Sequence, residues 1–431
     1  MTRRSLLKAA VAAPAIRLGA ASPNEKIVIA CIGVRGRAGH LMQGFAMMPD
    51  AEIAALCDVD SRQFPDAIKK VEARGKRTPK TFGDFRRVLD DKSIDAVVVG
   101  TPDHWHAIPS ILACQAGKHV YVEKPCSHNV KEGQAMLAAA RKYDRVMQVG
   151  IQSRSGRHFA EAIEFIRTGA LGKVVFAKAW ETSKQKAIPV RPDEPAPAGV
   201  DYDMWLGPAP KRPFNSARFH SNWRWFFDYG TGDLGNDGVH RTDYAVRGLE
   251  AAWQAMGKQL PQWPSAVAAS GGKIFFDDAQ EWPDTLIVTY DYPGATLMYE
   301  MRVWTPNQMD DEEEGAAIFG ENGCVIIGNT RWRAIGPDRK PLHAGGGSTN
   351  DDDADPAHKR NFFQCIRDHK RPACDIEIGH RVSSLCHIGN IAWRVDRKLH
   401  FDAASQTFRG DAEANRMLGR NYRAPWTLPA V

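Results

Sequence analysis

Between positions 26 and 150 the apolar residues come in short unbroken runs. Lys26 to Ile32, Ala51 to Cys57, Ile94 to Val99, the run ending at Val122, and Val146 to Val149 are of this kind. Runs of this length predict parallel strands covered on both faces. Between them, Leu41 to Met48, Ile108 to Ala116 (closed by Gly117) and Val130 to Tyr143 have helix-like composition. Alternating strands and helices predict a doubly wound parallel sheet, assigned here to residues 23–150.

The rhythm changes near residue 151. Phe159 to Thr168 reads as a helix and Val174 to Glu181 as a strand. Lys184 to Pro213 is polar and proline-rich, which predicts a surface loop. Thr285 to Tyr290 and Ala295 to Trp304 flank Asp291-Tyr292-Pro293-Gly294 as a hairpin; Ala316 to Phe319 and Cys324 to Ile327 form another. Helices are expected at Thr242 to Leu249, Arg360 to Asp368 and Gly379 to Val395. Residues 151–431 therefore predict an α+β domain on a mostly antiparallel sheet, with its last helices packed back on one of the sheets.

Residues 1–22 do not fit either domain. Thr2-Arg3-Arg4-Ser5-Leu6-Leu7-Lys8 is a twin-arginine pattern, and the apolar run Ala9 to Ile16 follows. This reads as an export signal and predicts a periplasmic or otherwise exported protein; the alternative is a basic tail on a cytoplasmic one. The run is too short to span a membrane, so no stable membrane anchor is expected.

The whole chain has 431 residues, 43% hydrophobic and 25% charged, with a net charge of +6. That suits two domains with real cores. No basic stripe is interleaved with aromatics, which argues against nucleic acid as a partner. The eight cysteines contain no C-x-x-C pair, so no zinc or redox motif is read; Cys31 and Cys57 are expected as buried thiols, and Cys365 with Cys374 is the one conceivable pair. The acidic runs Asp310 to Glu314 and Asp351 to Asp353 read as solvated loops. They lack ligand spacing, and no metal is expected.

Candidate chemistry sits where strands end. Gly33-Val34-Arg35-Gly36 follows the first strand and precedes a helix, the context of a dinucleotide-binding turn. Arg35 stands where the usual second glycine would be, and Gly36 comes at once. Asp58, ending the second strand, is placed to hold the ribose hydroxyls of NAD and to repel the phosphate of NADP; Arg62 nearby would soften that preference. Thr101-Pro102 with His106 lies at a third strand end, and Glu123-Lys124-Pro125 at a fourth, where proline stops the strand. Phe219 to Asp243 mixes aromatics with carboxylates, amides and glycines. Trp223, Arg224, Asn236, Asp237 and His240 are its candidate sugar ligands, because rings cover the apolar faces of a pyranose and polar groups take its hydroxyls. Four of the five residues Trp223–Phe227 are aromatic and cannot all point one way, so part of this segment is core.

These elements together resemble the Gfo/Idh/MocA family of nicotinamide-dependent sugar oxidoreductases. The resemblance rests on the turn at Gly33, on Thr101-Pro102 with His106, on Glu123-Lys124-Pro125 and on the glycine-rich stretch ending at His240. It implies a Rossmann domain, an open-faced second sheet that commonly mediates oligomerisation (a dimer or tetramer), and NAD as cofactor with NADP less favoured. It also implies Gly33, Arg35, Gly36, Asp58, Thr101, Pro102, His106 and Glu123 on the cofactor side. Lys124 becomes the catalytic or substrate-binding lysine, with His240 completing the site. Many members carry an aspartate four residues before that histidine; this chain has Asn236 there and Asp237 next to it.

Hydride transfer from a carbinol carbon of the sugar to NAD, with Lys124 or His240 as the base that takes the hydroxyl proton, is the simplest expected reaction. Export complicates it, since free NAD is scarce outside the cytoplasm. A tightly held cofactor answers this. So does a redox-neutral oxidation, elimination, addition and reduction cycle, as in the NAD-dependent glycoside hydrolases that the family resembles. A non-catalytic carbohydrate-binding protein is the third alternative.

Overall fold

The computed structural model describes residues 26–343, 345–346 and 354–431. The twin-arginine segment and Asp351 to Asp353 lie outside the described residues. The first sheet holds β1 (Ile27–Ile32), β2 (Ala51–Cys57), β3 (Lys80–Phe82), β4 (Ala96–Val99), β5 (His119–Val122) and β6 (Met147–Val149). Its order is β3-β2-β1-β4-β5-β6, and every pairing is parallel. The β4 and β5 strands are buried at every position because helices cover both faces. On one side, Leu41, Phe45 and Val71 pack against Ile29, Cys31 and Tyr121. On the other, Ile108, Ile111 and Met136 pack against Val97, Val99 and Val120.

The strand order reverses between β1 and β4, which opens a crevice at their carboxyl ends, the place where such sheets bind ligands. Gly33 shapes its floor. Its φ is +87°, and a Cβ there would stand 2.9 Å from the carbonyl oxygen of Gly100. Only glycine accepts both conditions.

The second sheet has ten strands: β7 (Val174–Thr182), β8 (Ala266–Gly272), β9 (Thr285–Tyr292), β10 (Ala295–Arg302), β11 (Glu314–Gly320), β12 (Gly323–Ile327), β13 (Trp332–Ile335), β14 (Pro341–His343), β15 (Leu399–Asp402) and β16 (Thr407–Phe408). Their order is β14-β13-β12-β11-β7-β10-β9-β8-β15-β16. All pairs are antiparallel except β7 with β10. One face carries Ala177, Ala179, Leu297, Tyr299 and Val288, all buried under the helices Gly238–Ala255 and Ile376–Val395. The opposite face is mixed. Lys178 pairs with Glu300 at 2.7 Å, and Ile287 and Phe319 are solvent-exposed.

Several expectations need correction. The helix expected at Leu41 begins at Gly36, and the one expected at Thr242 begins at Gly238. In both cases tertiary packing overrides glycine's weak helix propensity. The short β3 and the helix Phe64–Glu72 had no distinct apolar run to announce them. The proline-rich segment is more than a surface wrap: it holds the short helix Tyr202–Leu206, and Val200 bridges to Asp60 of the first domain. The helix Ala354–Asp368 also returns to the first domain, where Phe362 and Phe363 pack on Phe45. Glu312 and Glu314 do not belong to a freely solvated run. Glu312 pairs with Arg331 at 2.5 Å, and Glu314 with the buried Arg241 at 2.5 Å. Cys365 and Cys374 are free thiols, as are the other six cysteines.

Candidate functional site

A cleft of about 530 Å³ runs from the crevice of the parallel sheet to the helix Gly238–Ala255, a volume typical of small-molecule sites. The sequence-derived site residues all face it. Gly33, Arg35, Gly36, Asp58, Thr101 and Pro102 line its first-domain end. His106, Glu123 and Lys124 line the middle. Trp223, Arg224, Asn236, Asp237 and His240 line the far end.

The first-domain end fits a dinucleotide. No side chain caps the N-terminus of the helix Gly36–Ala46, so its N–H groups remain available to a pyrophosphate. A Cβ on Gly36 would meet nothing within 4 Å, which marks open space above that turn. Asp58 stands at the end of β2. Its carboxylate accepts from the N–H of Val34 at 3.1 Å and of Asp60 at 3.0 Å. Burial nevertheless pushes its pKa up to about 6.

Arg62 is not free to receive a 2′-phosphate. Its Nε and Nη2 are held by Asp60 at 2.7 and 2.8 Å. His220, at φ +65°, donates or accepts through Nε2 at 2.7 Å to the other side of Asp60. Burial raises the Asp60 carboxyl, but bonds from Arg62, Gln63 and His220 outweigh this and hold it ionised. The pairing of Asp60 with His220 is not apparent from the sequence, because it joins positions far apart in the chain.

Asp58 yields a pH prediction. Ribose hydroxyls donate to a carboxylate, so binding is strongest above the Asp58 pKa and weakens as pH falls through about 6. Isothermal titration with NAD should show this fall, and Asp58→Asn should weaken binding at neutral pH and flatten the profile. A wild-type profile that is level across pH 6 would contradict the assignment.

Two residues of the middle segment act mainly as braces. Both His106 ring nitrogens face carbonyl oxygens, Pro125 O at 2.7 Å and Thr101 O at 2.8 Å. In this structure His106 lines the cleft while its ring nitrogens brace the backbone at Pro125 and Thr101. Glu123 is buried and receives Arg37 Nε at 3.1 Å; the same guanidinium reaches Asp355 at 2.5 Å. This ties β5, the glycine turn and the helix Ala354–Asp368 together.

Lys124 is largely buried, and acceptors surround its Nζ: Asn236 O and Asn236 Oδ1, each at 2.8 Å, and Asp237 Oδ1 at 3.4 Å. The Asn236 amide in turn donates to Asp237 Oδ2 at 3.0 Å and Asp233 Oδ1 at 3.2 Å. Asn236 therefore orients both the lysine and two carboxylates. Asp237 is held ionised: burial opposes this, but the Lys124, Arg241 and Arg224 cations prevail. Burial, then Lys124 and Arg241, holds His240 far below its ordinary pKa, so its ring is neutral at physiological pH.

Of the aromatic segment, Trp225, Phe226 and Tyr229 are core, and Tyr229 packs 4.7 Å from Trp205. Trp223 stays at the cleft, with the Arg224 guanidinium 5.4 Å from its ring centre. Behind Asp237 lies a feature that spacing did not reveal. Glu181 of β7 and Asp233 of the turn Gly232–Gly235 come together with Asp237.

A parallel sheet with a bare helix N-terminus and an aspartate ending its second strand, joined to an open mixed sheet, has the architecture of a Rossmann dinucleotide-binding domain with a second α/β domain. Comparison with known sequences agrees. Residues 27–151 match the Gfo/Idh/MocA oxidoreductase family, NAD-binding Rossmann fold, and residues 176–250 and 348–428 match that family's C-terminal alpha/beta domain. The chain belongs to the Gfo/Idh/MocA family. It is similar to a glycosyl hydrolase family 109 protein of Stenotrophomonas maltophilia (strain K279a), 27% identical over 219 residues, 47% of each chain. It is also similar to the uncharacterized oxidoreductase YrbE of Bacillus subtilis (strain 168), 30% identical over 180 residues, 42% of this chain and 48% of that one. The chain thus spans about half the length of these curated relatives. Among solved structures, aldose-aldose oxidoreductase from Caulobacter crescentus, complexed with glycerol, shares the fold at TM-score 0.63 and 23% identity, covering 87% of this chain and 100% of that one. Levoglucosan dehydrogenase in complex with NADH and L-sorbose does so at TM-score 0.67 and 18% identity, covering 88% and 100%.

Proposed function

We propose that this protein oxidises a ring hydroxyl of a sugar or sugar derivative by hydride transfer, with tightly held NAD. The observation that carries this reading is the convergence of Lys124, Asn236, Asp237 and neutral His240 at one end of a cleft whose other end fits a dinucleotide. The solved structures of like fold, one with NADH and L-sorbose, support the substrate class.

Bound NAD would supply the hydride acceptor. The protein supplies the rest. Lys124, by exchanging its long 3.4 Å contact with Asp237 for the substrate oxygen, would donate an N–H there and steady the charge that develops. His240, being neutral, has the free ring nitrogen needed to take the hydroxyl proton. Asp237 keeps Lys124 in place and Asn236 aligns both. Trp223 covers an apolar face of the sugar, with Arg224 at its edge.

A second reading has its own support. The similarity to glycosyl hydrolase family 109 proteins favours a redox-neutral cycle: oxidation, loss of an acidified proton with elimination, addition of water, then reduction. The twin-arginine pattern, as the sign of an exported protein, favours either a retained cofactor or such a cycle. The exposed Ile287 and Phe319 on the open sheet face support a homo-oligomer. Among the described residues, no helix is long and apolar enough to cross a membrane.

The test is a sugar and glycoside panel with NAD-loaded protein. Reduced-nicotinamide absorbance should appear with at least one free sugar. Aglycone release without net absorbance, with solvent deuterium entering the sugar, would instead establish the redox-neutral reading. Silence on both counts across the panel would leave only a binding protein.

A further inference from the structure

We propose that Glu181, Asp233 and Asp237 form a binding site for one divalent cation of the calcium class, just beneath the sugar end of the cleft. One carboxylate oxygen from each lies within 4.8 Å of the others. Oxygens on opposite sides of Mg²⁺, at about 2.1 Å each, are separated by about 4.2 Å, whereas Ca²⁺ at about 2.3–2.6 Å allows about 4.6–5.2 Å. Separations of at most 4.8 Å lie inside the Ca²⁺ range, and an all-oxygen set of this kind suits a hard, flexibly coordinated ion.

The second observation concerns unpartnered atoms. Glu181 Oε2, Asp233 Oδ2 and the Tyr299 hydroxyl are all buried and have no hydrogen-bond partner. Each belongs to a residue less than one-tenth exposed. The register explains why they meet. Tyr299 pairs with Ala179 and Met301 with Glu181, so Tyr299 and Glu181 share the helix-covered face of the sheet. Gly238 leaves room for the phenol, since a Cβ there would lie 2.5 Å from its oxygen. The Tyr299 hydroxyl therefore lies on the side of the sheet from which Glu181 projects.

The neighbouring cations do not satisfy this group. Arg241 is paired with Glu314, and Lys124 reaches only the cleft side of Asp237. Asn236 ties down Asp233 Oδ1 and Asp237 Oδ2, leaving Asp233 Oδ2 free. Buried carboxylates without a counter-charge are costly. The competing occupant is a proton on Glu181, which burial and repulsion from Asp233 and Glu314 favour and which Glu314 is placed to share. Asp237 is the one partly exposed ligand, and it opens the group to the cleft, the route by which an ion and its waters would enter. An ion there would fix Asp237 and, through it, the Lys124 ammonium.

The test uses the full chain without sugar, so its failure leaves the oxidoreductase reading untouched. Calcium is titrated calorimetrically in excess monovalent salt, and Tb³⁺ is titrated by luminescence excited through tyrosine. The expected result is one ion per chain, with Kd at or below about 10⁻⁴–10⁻³ M. Glu181→Gln and Asp233→Asn should each weaken binding about tenfold or more, while Glu321→Gln on the surface should not. Tyr299→Phe should dim the sensitised Tb³⁺ emission, and this keeps the test open if a carboxylate variant fails to fold. Absence of calcium binding by wild type, or binding unchanged in the carboxylate variants, overturns the proposal in favour of the shared proton.

Discussion

Lys124→Ala is expected to lower kcat by about 10²–10⁴-fold, the usual range for losing a positioned proton-transfer or charge-stabilising group. That corresponds to about 2.7–5.5 kcal/mol of barrier. NAD affinity should change little, because the dinucleotide end of the cleft is built from Gly33, Gly36 and Asp58, away from the Nζ. Lys124→Arg should not restore the rate. Three acceptors converge on a single ammonium, and a planar guanidinium cannot meet Asn236 O, Asn236 Oδ1 and Asp237 Oδ1 together. Steady-state kinetics beside NAD calorimetry separates these claims. A Lys124→Ala protein with full turnover would remove Lys124 from the chemistry.

The largest stability effect is expected at the clamp that ties the turn after β6 to the histidine-bearing helix. Arg154, just after β6, holds Asp243 of the histidine-bearing helix by three contacts: Nε at 3.0 and 2.9 Å, and Nη2 at 2.6 Å. Both side chains are nearly or fully buried. Asp243→Ala leaves the Arg154 charge buried and unpaired, at a cost of about 3–5 kcal/mol. With about 1 °C of Tm per kcal/mol for a chain of 431 residues, thermal scanning should show a fall of about 3–6 °C. Replacing both partners by apolar residues of similar volume should recover part of it. A single-variant Tm within about 2 °C of wild type would contradict the clamp.

The candidate site was legible because its residues end strands or begin helices. Gly33, Asp58, Thr101 and Lys124 follow β1, β2, β4 and β5, and a parallel sheet gathers those ends at one edge. Once the alternation of strands and helices is read, their meeting follows from topology. Glu181 escaped notice for the opposite reason. It ends a strand otherwise read as hydrophobic, and its partners Asp233 and Tyr299 arrive from a turn and from β10. The proline-rich segment was misjudged because composition reports chain stiffness and polarity, not the Asp60–Val200 bridge and the backbone bonds Ser61 N–Gly199 O and Asp201 N–Val59 O that bring it to the first domain. Composition did correctly require that some of Trp223–Phe227 be core; which ring stays at the cleft was decided by packing around Tyr229 and Trp282.

The central claim is that one cleft holds NAD against a sugar hydroxyl and passes a hydride between them. A single-turnover measurement with NAD-loaded protein tests it most directly. The sugar identified by the panel is deuterated at the carbon that is oxidised, and the cofactor is recovered by acid quench and weighed by mass spectrometry. The account predicts deuterium on the nicotinamide within the first turnover in wild type, and none with Lys124→Ala on the same timescale. Deuterium retained by the sugar or lost to water, with an unlabelled cofactor, would contradict it.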